Sequence, residues 1–257
     1  MTDDADESSA DSGPEREMVQ LARRLRQDFD RIQMEHEFAI DEMLTKVSIL
    51  RREFQHLHRY NPIEHVTSRV KSPSSTLKKA ARLGIDPTPE AIRERIRDIA
   101  GVRITCSFIA DTYRVLEALT SQTDVRVINV KDYIAEPKPN GYKSLHALIE
   151  IPVFLSTGAV NVAVELQVRT IAMDFWASLE HKIHYKYDGD VPAGLVTSLT
   201  AAARAAQILD EHMEQLHREV RGLDTDTVDD EMRVDEQTLL QLWKMARANA
   251  DDTAPDA

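Results

Sequence analysis

The stretch that most limits the fold is VAVELQVRT, residues 162 to 170. Val162, Val164, Leu166 and Val168 alternate with Ala163, Glu165, Gln167 and Arg169, a period of two that a strand places on opposite faces. One face is apolar and must be buried, whereas the other presents an acid, an amide and a base. A second stretch repeats the pattern, with Leu145, Ala147, Ile149 and Ile151 alternating with Ser144, His146, Leu148 and Glu150. Two half-apolar strands need further strands beside them and helices over the apolar face.

Those helices are legible. Apolar residues recur at helical spacing from Met18 through Ile32 and from Ala39 through Leu57, which predicts one long helix or two, stopping near Asn61-Pro62. Val191, Leu195, Leu199, Ala202, Ala206, Leu209, Met213, Leu216 and Val220 predict another near the C-terminal end. Between them, short helices near 72–83 and 88–98 lead to a strand at GVRITCSF, a helix over about 111–122, a strand at DVRVINV, the two alternating strands, and a helix from Thr170 through FWASLEHKIHYKY. The expected class is α+β, a mixed β-sheet covered by helices with long helices at both ends. Glycine is scarce, at 8 residues, and no P-loop or dinucleotide fingerprint occurs.

Ahead of the second strand lies KPNGYKSLHALIE, residues 138 to 150. Pro139, Asn140 and Gly141 form a turn, so Tyr142 sits where turn meets strand. Lys138, Lys143 and His146 crowd the same end and favour an anion there. A Tyr ring beside an anion site suits something flat attached to phosphates, and a nucleotide meets both demands. Two acids stand out from the other elements. Asp98 precedes one strand, and Glu165 lies on the polar face of another; carboxylates from separate elements are how proteins hold Mg²⁺ beside phosphates. Taken alone, each acid has an ordinary alternative as a solvated or salt-bridged side chain. Their neighbours are cationic: Arg69, Lys71, Lys78, Lys79 and Arg103, suited to polyphosphate and, for arginine, to stacking on a base. For Lys78 and Lys79 a solvated helix face competes with that reading.

Charge narrows the partners. The 257-residue chain has a formal charge of −12, but residues 1–17 hold seven acids and one base, and residues 222–257 hold ten acids and three bases. The middle is therefore close to neutral, and Arg69 to Arg103 has nine bases against four acids. Acidic tails of this kind solubilise. No apolar run reaches the roughly 20 residues of a membrane span, the start lacks a signal-peptide pattern, and the single Cys106 permits no internal disulfide. A cytoplasmic protein without a membrane partner is expected.

DIAGVRI, KPNGYKSLH and VELQVRT, in this order, resemble the synthetase domain of the RelA/SpoT family, and the span from NPIEHVTSRVK to FWASLEHKIHYKY resembles its small single-domain alarmone synthetases. The resemblance implies a nucleotidyltransferase-like sheet and Mg²⁺-dependent transfer of pyrophosphate from ATP to the 3′-hydroxyl of GDP or GTP, in stringent-response signalling. It implies that Asp98 and Glu165 are the catalytic metal carboxylates, with Glu165 also helping to deprotonate the attacking hydroxyl. It implies that Arg69 and Arg103 hold the adenine, Lys71 and Lys79 the ATP phosphates, and Tyr142 the guanine. Lys131, Lys138, Lys143 and His146 match the cations around the acceptor phosphates, and Asp174 is a candidate for the guanine edge, with a helix first-turn acid as its alternative.

The expected domains are an acidic disordered tail over 1–17, the synthetase over 18–221, and an acidic, partly helical tail over 222–257. No His is followed by Asp, so synthesis without alarmone hydrolysis is expected. The long terminal helices either complete the core or pack against another subunit; a homo-oligomer is expected, a tetramer by resemblance. The competing reading is a catalytically weak regulator that binds guanine nucleotides or single-stranded RNA.

Overall fold

A computed structural model describes residues 13–58, 60–187 and 190–223. Helix α1 (Gly13–His58) runs unbroken for 46 residues and is followed by β1 (Ile63–Val70), α2 (Pro73–Leu83) and α3 (Pro89–Arg95). Then come β2 (Ala100–Cys106), α4 (Ile109–Thr120), β3 (Arg126–Asp132), β4 (Leu145–Leu155), β5 (Gly158–Thr170), α5 (Ile171–Lys186) and α6 (Ala193–Leu223). The chain divides into a unit over Met1–Gln215 and a second over Leu216–Ala257, of which the described part is the last turns of α6. Residues 1–12 and 224–257, and with them most of the two expected tails, lie outside the described residues; Gly13 to Glu17 are already helical.

The five strands form one sheet in the order β1-β2-β5-β4-β3, with β2 and β5 parallel and every other pair antiparallel. It is the mixed, helix-covered α+β sheet expected. The alternation in β4 and β5 is obeyed: Leu145, Ala147, Ile149 and Ile151 are buried together with Val162, Val164, Leu166 and Val168. Against this face α1 packs Ala39, Ile40, Met43, Val47, Leu50 and Phe54, and α4 packs Val115, Leu116 and Leu119. Removing such residues from water is the main favourable term for the fold. The helix ends follow local chemistry. Ser72 and Thr88 cap α2 and α3 ahead of Pro73 and Pro89, and Gly84 closes α2 at φ 62°, a left-handed conformation suited to glycine.

Strand β1 carries no comparable signal in the sequence. Among its eight residues only Ile63 is buried, because β1 is an edge strand with a bulge at its start, so no alternation marks it. A second apolar cluster of Ile32, Ala80, Ile85, Ile92, Ile96 and Ile99 joins α1, α2 and α3. Glu35, only 2% exposed, reinforces it by accepting from Arg31 at 2.9 Å and Arg93 at 3.1 Å. This cluster fixes the backbone on either side of Lys71, Lys79 and Asp98.

Asp210 of α6 is buried and accepts from Thr170 Oγ1, the N-cap of α5, at 2.8 Å. Burial, assisted by Glu211 and Glu214 and opposed by the Thr170 hydrogen bond and Lys143, pushes its pKa up to about 6. A folded value above the usual carboxylate value means that this group favours folding fully at low pH and loses that contribution as pH rises through about 6. Asp210→Asn keeps an acceptor for Thr170 and removes the buried charge. Urea unfolding is expected to show a gain of about 1–3 kcal/mol near pH 7.5 and no gain at or below about pH 4.

Candidate active site

The face of the sheet opposite α1 collects the polar members of each alternation. Register places them in rows. Arg69 of β1 pairs with Gly101 of β2, and Gly101 with Glu165 of β5. The next row runs Thr67, Arg103, Gln167, His146 and Lys131 across all five strands. Opposed residues share a face, so Arg69, Arg103, Glu165, Gln167, His146 and Lys131 stand on one surface although up to a hundred residues separate them. Thr67, Arg69, Gly101, Arg103, Glu165 and Gln167 line a cleft of about 130 Å³ there. Arg69 lies across Gly101: a Cβ there would stand at van der Waals contact, 3.7 Å, from Arg69 Cγ.

Asp98 enters from the turn before β2. Its Oδ2 receives both Lys71 Nζ and Lys79 Nζ at 2.6 Å. Burial works to raise the Asp98 pKa, but the hydrogen bonds and charges of the two lysines outweigh it and hold the carboxyl below its usual range. Its other oxygen, Oδ1, is buried without a hydrogen-bond partner. An orphaned acceptor on an ionised carboxylate suits a hard cation. Glu165 supplies the second set of hard oxygens. His146 Nδ1 lies 3.5 Å from its Oε1, and Gln167 Nε2 donates to its Oε2 at 3.0 Å. The His146 hydrogen bond draws the Glu165 pKa down against burial. No cluster of three or more His, Cys, Asp or Glu that could hold a metal occurs among the described residues. Two carboxylates, one with a free buried oxygen, suit a hard ion that completes its shell with water or phosphate oxygens.

The turn at 138–141 delivers an aromatic and cationic cluster. Gly141 has φ 88° and donates to Lys138 O at 2.8 Å, and Asn140 Oδ1 accepts from Tyr142 N at 3.1 Å. Tyr142 then meets Tyr133 edge-on, with ring centroids 5.9 Å apart, and Lys138 Nζ stands 4.7 Å from both ring centres. Tyr142 Oη lies 2.6 Å from His146 Nε2 and accepts from Arg169 Nη2 at 2.6 Å. Arg169 also reaches Asp174 Oδ1 at 3.2 Å, and Arg103 pairs with the same oxygen at 3.3 Å.

The site therefore brings together Asp98, Glu165, Lys71, Lys79, Arg69, Arg103, Tyr142, His146 and Asp174. Lys131, Lys138 and Lys143 rim it: Lys131 is exposed in register with His146, Lys138 is exposed on the tyrosine pair, and Lys143 is half-buried toward α6 beside Asp210. Lys78, weighed with the cations, is exposed on α2. Sequence reasoning missed Arg169, Gln167 and Tyr133. The signal for the first two was present, since both share the strand face of Glu165, but nothing in the sequence shows that Tyr142 closes onto them.

The family described as "Region found in RelA / SpoT proteins" matches residues 68–190. The chain is 52% identical over 185 residues to GTP pyrophosphokinase YwaC of Bacillus subtilis, covering 72% of this chain and 88% of that protein. GTP pyrophosphokinase YjbM of the same organism is 39% identical over 193 residues, covering 75% and 90%. Among solved structures, small alarmone synthetase 2 from Bacillus subtilis superimposes with a TM-score of 0.69 at 49% identity, covering 75% of this chain and 99% of that one. Small alarmone synthetase 1 bound to AMPCPP gives 0.65 at 34% identity, covering 76% and 98%.

Gly141 sets the position of the 138–141 turn against α6, because a Cβ there would stand 2.5 Å from Ala203 Cβ. Gly141→Ala combines that overlap with a positive φ, and thermal or urea unfolding is expected to show a loss of roughly 1–3 kcal/mol. The Gly141→Ala/Ala203→Gly double variant should lose less than the sum of the two single variants, the sign of a direct contact.

Proposed function

The chain belongs to the RelA/SpoT family, and from that premise we propose that it is a GTP/GDP pyrophosphokinase, transferring the β,γ-pyrophosphate of ATP to the 3′-hydroxyl of GDP or GTP to give (p)ppGpp and AMP. The observation that carries this reading is an ionised Asp98 with an orphaned Oδ1, in the turn before β2 and near enough to Glu165 of β5 for the two charges to act on one another. The reaction forms a bond from the acceptor 3′-oxygen to the β-phosphorus of ATP and breaks the bond between that phosphorus and the oxygen left on AMP. Such transfer needs positioning and charge neutralisation rather than a covalent nucleophile.

Each role follows the chemistry of its side chain. Asp98 and Glu165 would hold a divalent cation, Mg²⁺ in this reading, which when bound neutralises phosphate charge and polarises the attacking oxygen. Glu165 takes the proton of the 3′-hydroxyl. Lys71 and Lys79, already at the Asp98 carboxylate, lie within reach of ATP phosphates entering there. Arg69 and Arg103 flank the cleft as planar cations for the adenine. Tyr142 offers its ring to guanine, with Lys131, Lys138, Lys143 and His146 toward the acceptor phosphates. With Asp174 Oδ1 engaged by two arginines, the guanine-edge role falls to Oδ2.

The synthetase domain in this reading is residues 18–221, and it works as a homo-oligomer, a tetramer by resemblance. Support for assembly comes from an apolar groove between α5 and α6, where Ile171, Leu209 and Met213 are exposed and Phe175 is 71% exposed; a face of this kind is a liability on a monomer. No helix among the described residues is long and apolar enough to cross a membrane.

Incubation with ATP, Mg²⁺ and either GDP or GTP, followed by anion-exchange separation, is expected to show tetra- or pentaphosphate product in step with AMP. Asp98→Asn and Glu165→Gln are each expected to lower turnover by at least about 100-fold with unchanged circular dichroism. Absence of product with both acceptors would overturn the reading in favour of a regulator that binds guanine nucleotides or single-stranded RNA, which equilibrium binding to each then separates.

A further inference from the structure

We propose that Arg169 is a positioning residue that aims the Glu165 carboxylate through two side-chain arms, one hydrogen-bonded throughout by way of Gln167 and one that passes through the acceptor ring, Tyr142, and ends in a 3.5 Å contact from His146. The inference rests on the reading of Glu165 as the base and Tyr142 as the guanine platform. Arg169 stands at the end of β5 and is only 4% exposed. A buried guanidinium is tolerated when its donors are satisfied, and here each nitrogen has a partner. Nε donates to Ser144 Oγ at 3.4 Å, Nη1 to Asp174 Oδ1 at 3.2 Å, and Nη2 to Tyr142 Oη at 2.6 Å and Gln167 Oε1 at 3.1 Å.

A guanidinium can only donate, which fixes the direction of the first bond in each arm. Tyr142 Oη accepts from Arg169, which leaves its one proton available to His146 Nε2, 2.6 Å away, the direction taken here. A neutral imidazole that accepts at Nε2 carries its hydrogen at Nδ1. Nδ1 is the atom that faces Glu165 Oε1, at 3.5 Å. The second arm is shorter. Gln167 accepts from Arg169 through Oε1, which turns its amide nitrogen toward Glu165, and that nitrogen donates to Oε2 at 3.0 Å. Both oxygens of the carboxylate are thus faced by groups that Arg169 orients, with Arg103 Nη2 adding a longer bond of 3.4 Å to the same Gln167 oxygen. A lysine at this position would carry the charge but lacks the planar fork that reaches both arms together.

The arrangement gives Tyr142 two functions that separate experimentally. Its ring meets the acceptor base, while its hydroxyl sets the tautomer of the histidine beside the general base. Occupation of the acceptor site and orientation of Glu165 are therefore linked through one side chain. A purely structural Arg169 would stabilise the end of β5 without any dependence of turnover on the tyrosine hydroxyl.

Steady-state kinetics at saturating ATP and Mg²⁺ with varied acceptor test this. Tyr142→Phe keeps the ring, and its kcat is expected to fall on the order of tenfold while the acceptor KM changes by less than about twofold. Arg169→Lys is expected to lower kcat further, and adding Tyr142→Phe to it should cause no additional loss, since that arm is already broken. Should Arg169→Lys fail to fold by circular dichroism, the Tyr142→Phe/His146→Ala double variant replaces it and should be no slower than His146→Ala alone. A wild-type kcat in Tyr142→Phe, a change confined to acceptor KM, or losses that multiply in the double variant would overturn the proposal. Wild-type protein that makes no product overturns the pyrophosphokinase reading, and this inference with it.

Discussion

Parallel pairing of β2 with β5 is the constraint on which the rest depends. It opposes Gly101 to Glu165 and Arg103 to Gln167, and it sets the turn that carries Asp98 beside the start of the same row. The remaining strands extend these rows outward, to Arg69 on one side and to His146 and Lys131 on the other. A slip of one residue would exchange the faces of a strand. Val164, Leu166 and Val168 are fully buried, so such a slip would put Glu165, Gln167 and Arg169 into the core. Core packing and the geometry of the site are for this reason one specification.

Electrostatics decides the state in which the site waits. Asp98 is ionised because two ammonium groups converge on one of its oxygens, and Glu165 because His146 and Gln167 address both of its own. Arg103 is half-buried, and desolvation together with the nearby Arg169 charge lowers its pKa against the pull of Asp174. The backbone of these groups is held by the sheet and by the cluster beneath α2 and α3, which in the proposed function would limit the reorganisation needed as charge moves between phosphates.

The sequence was most informative where periodicity was strict. The alternation of β4 and β5 led directly to the placement of Glu165 on the polar face, and the helical spacing from Met18 to Leu57 led to α1. Strand β1 escaped because an edge strand with one buried residue has no period to read. The ordered motifs brought Asp98, Arg103, Tyr142 and Glu165 into view. They gave no indication that Lys71 and Lys79 share one oxygen of Asp98, or that Tyr142 and Arg169, 27 residues apart, touch. Side-chain convergence across a sheet depends on register and turn geometry, and neither is written in local pattern.

The Asp98 pair bears on how a highly charged ligand is admitted. Lys71 and Lys79 are not bare cations waiting for phosphate; each already has a carboxylate oxygen 2.6 Å away. In the proposed function this internal salt would suit a nucleotide with its counter-cation, since Lys71 and Lys79 could hold phosphate oxygens and Asp98 the cation. Each charge of the salt would then be matched in kind, and none would be left isolated in a partly buried cleft. Phosphate without its cation would have to displace Asp98 from both lysines and leave that carboxylate uncompensated. On the proposed reading the site would discriminate by ion balance as well as by shape.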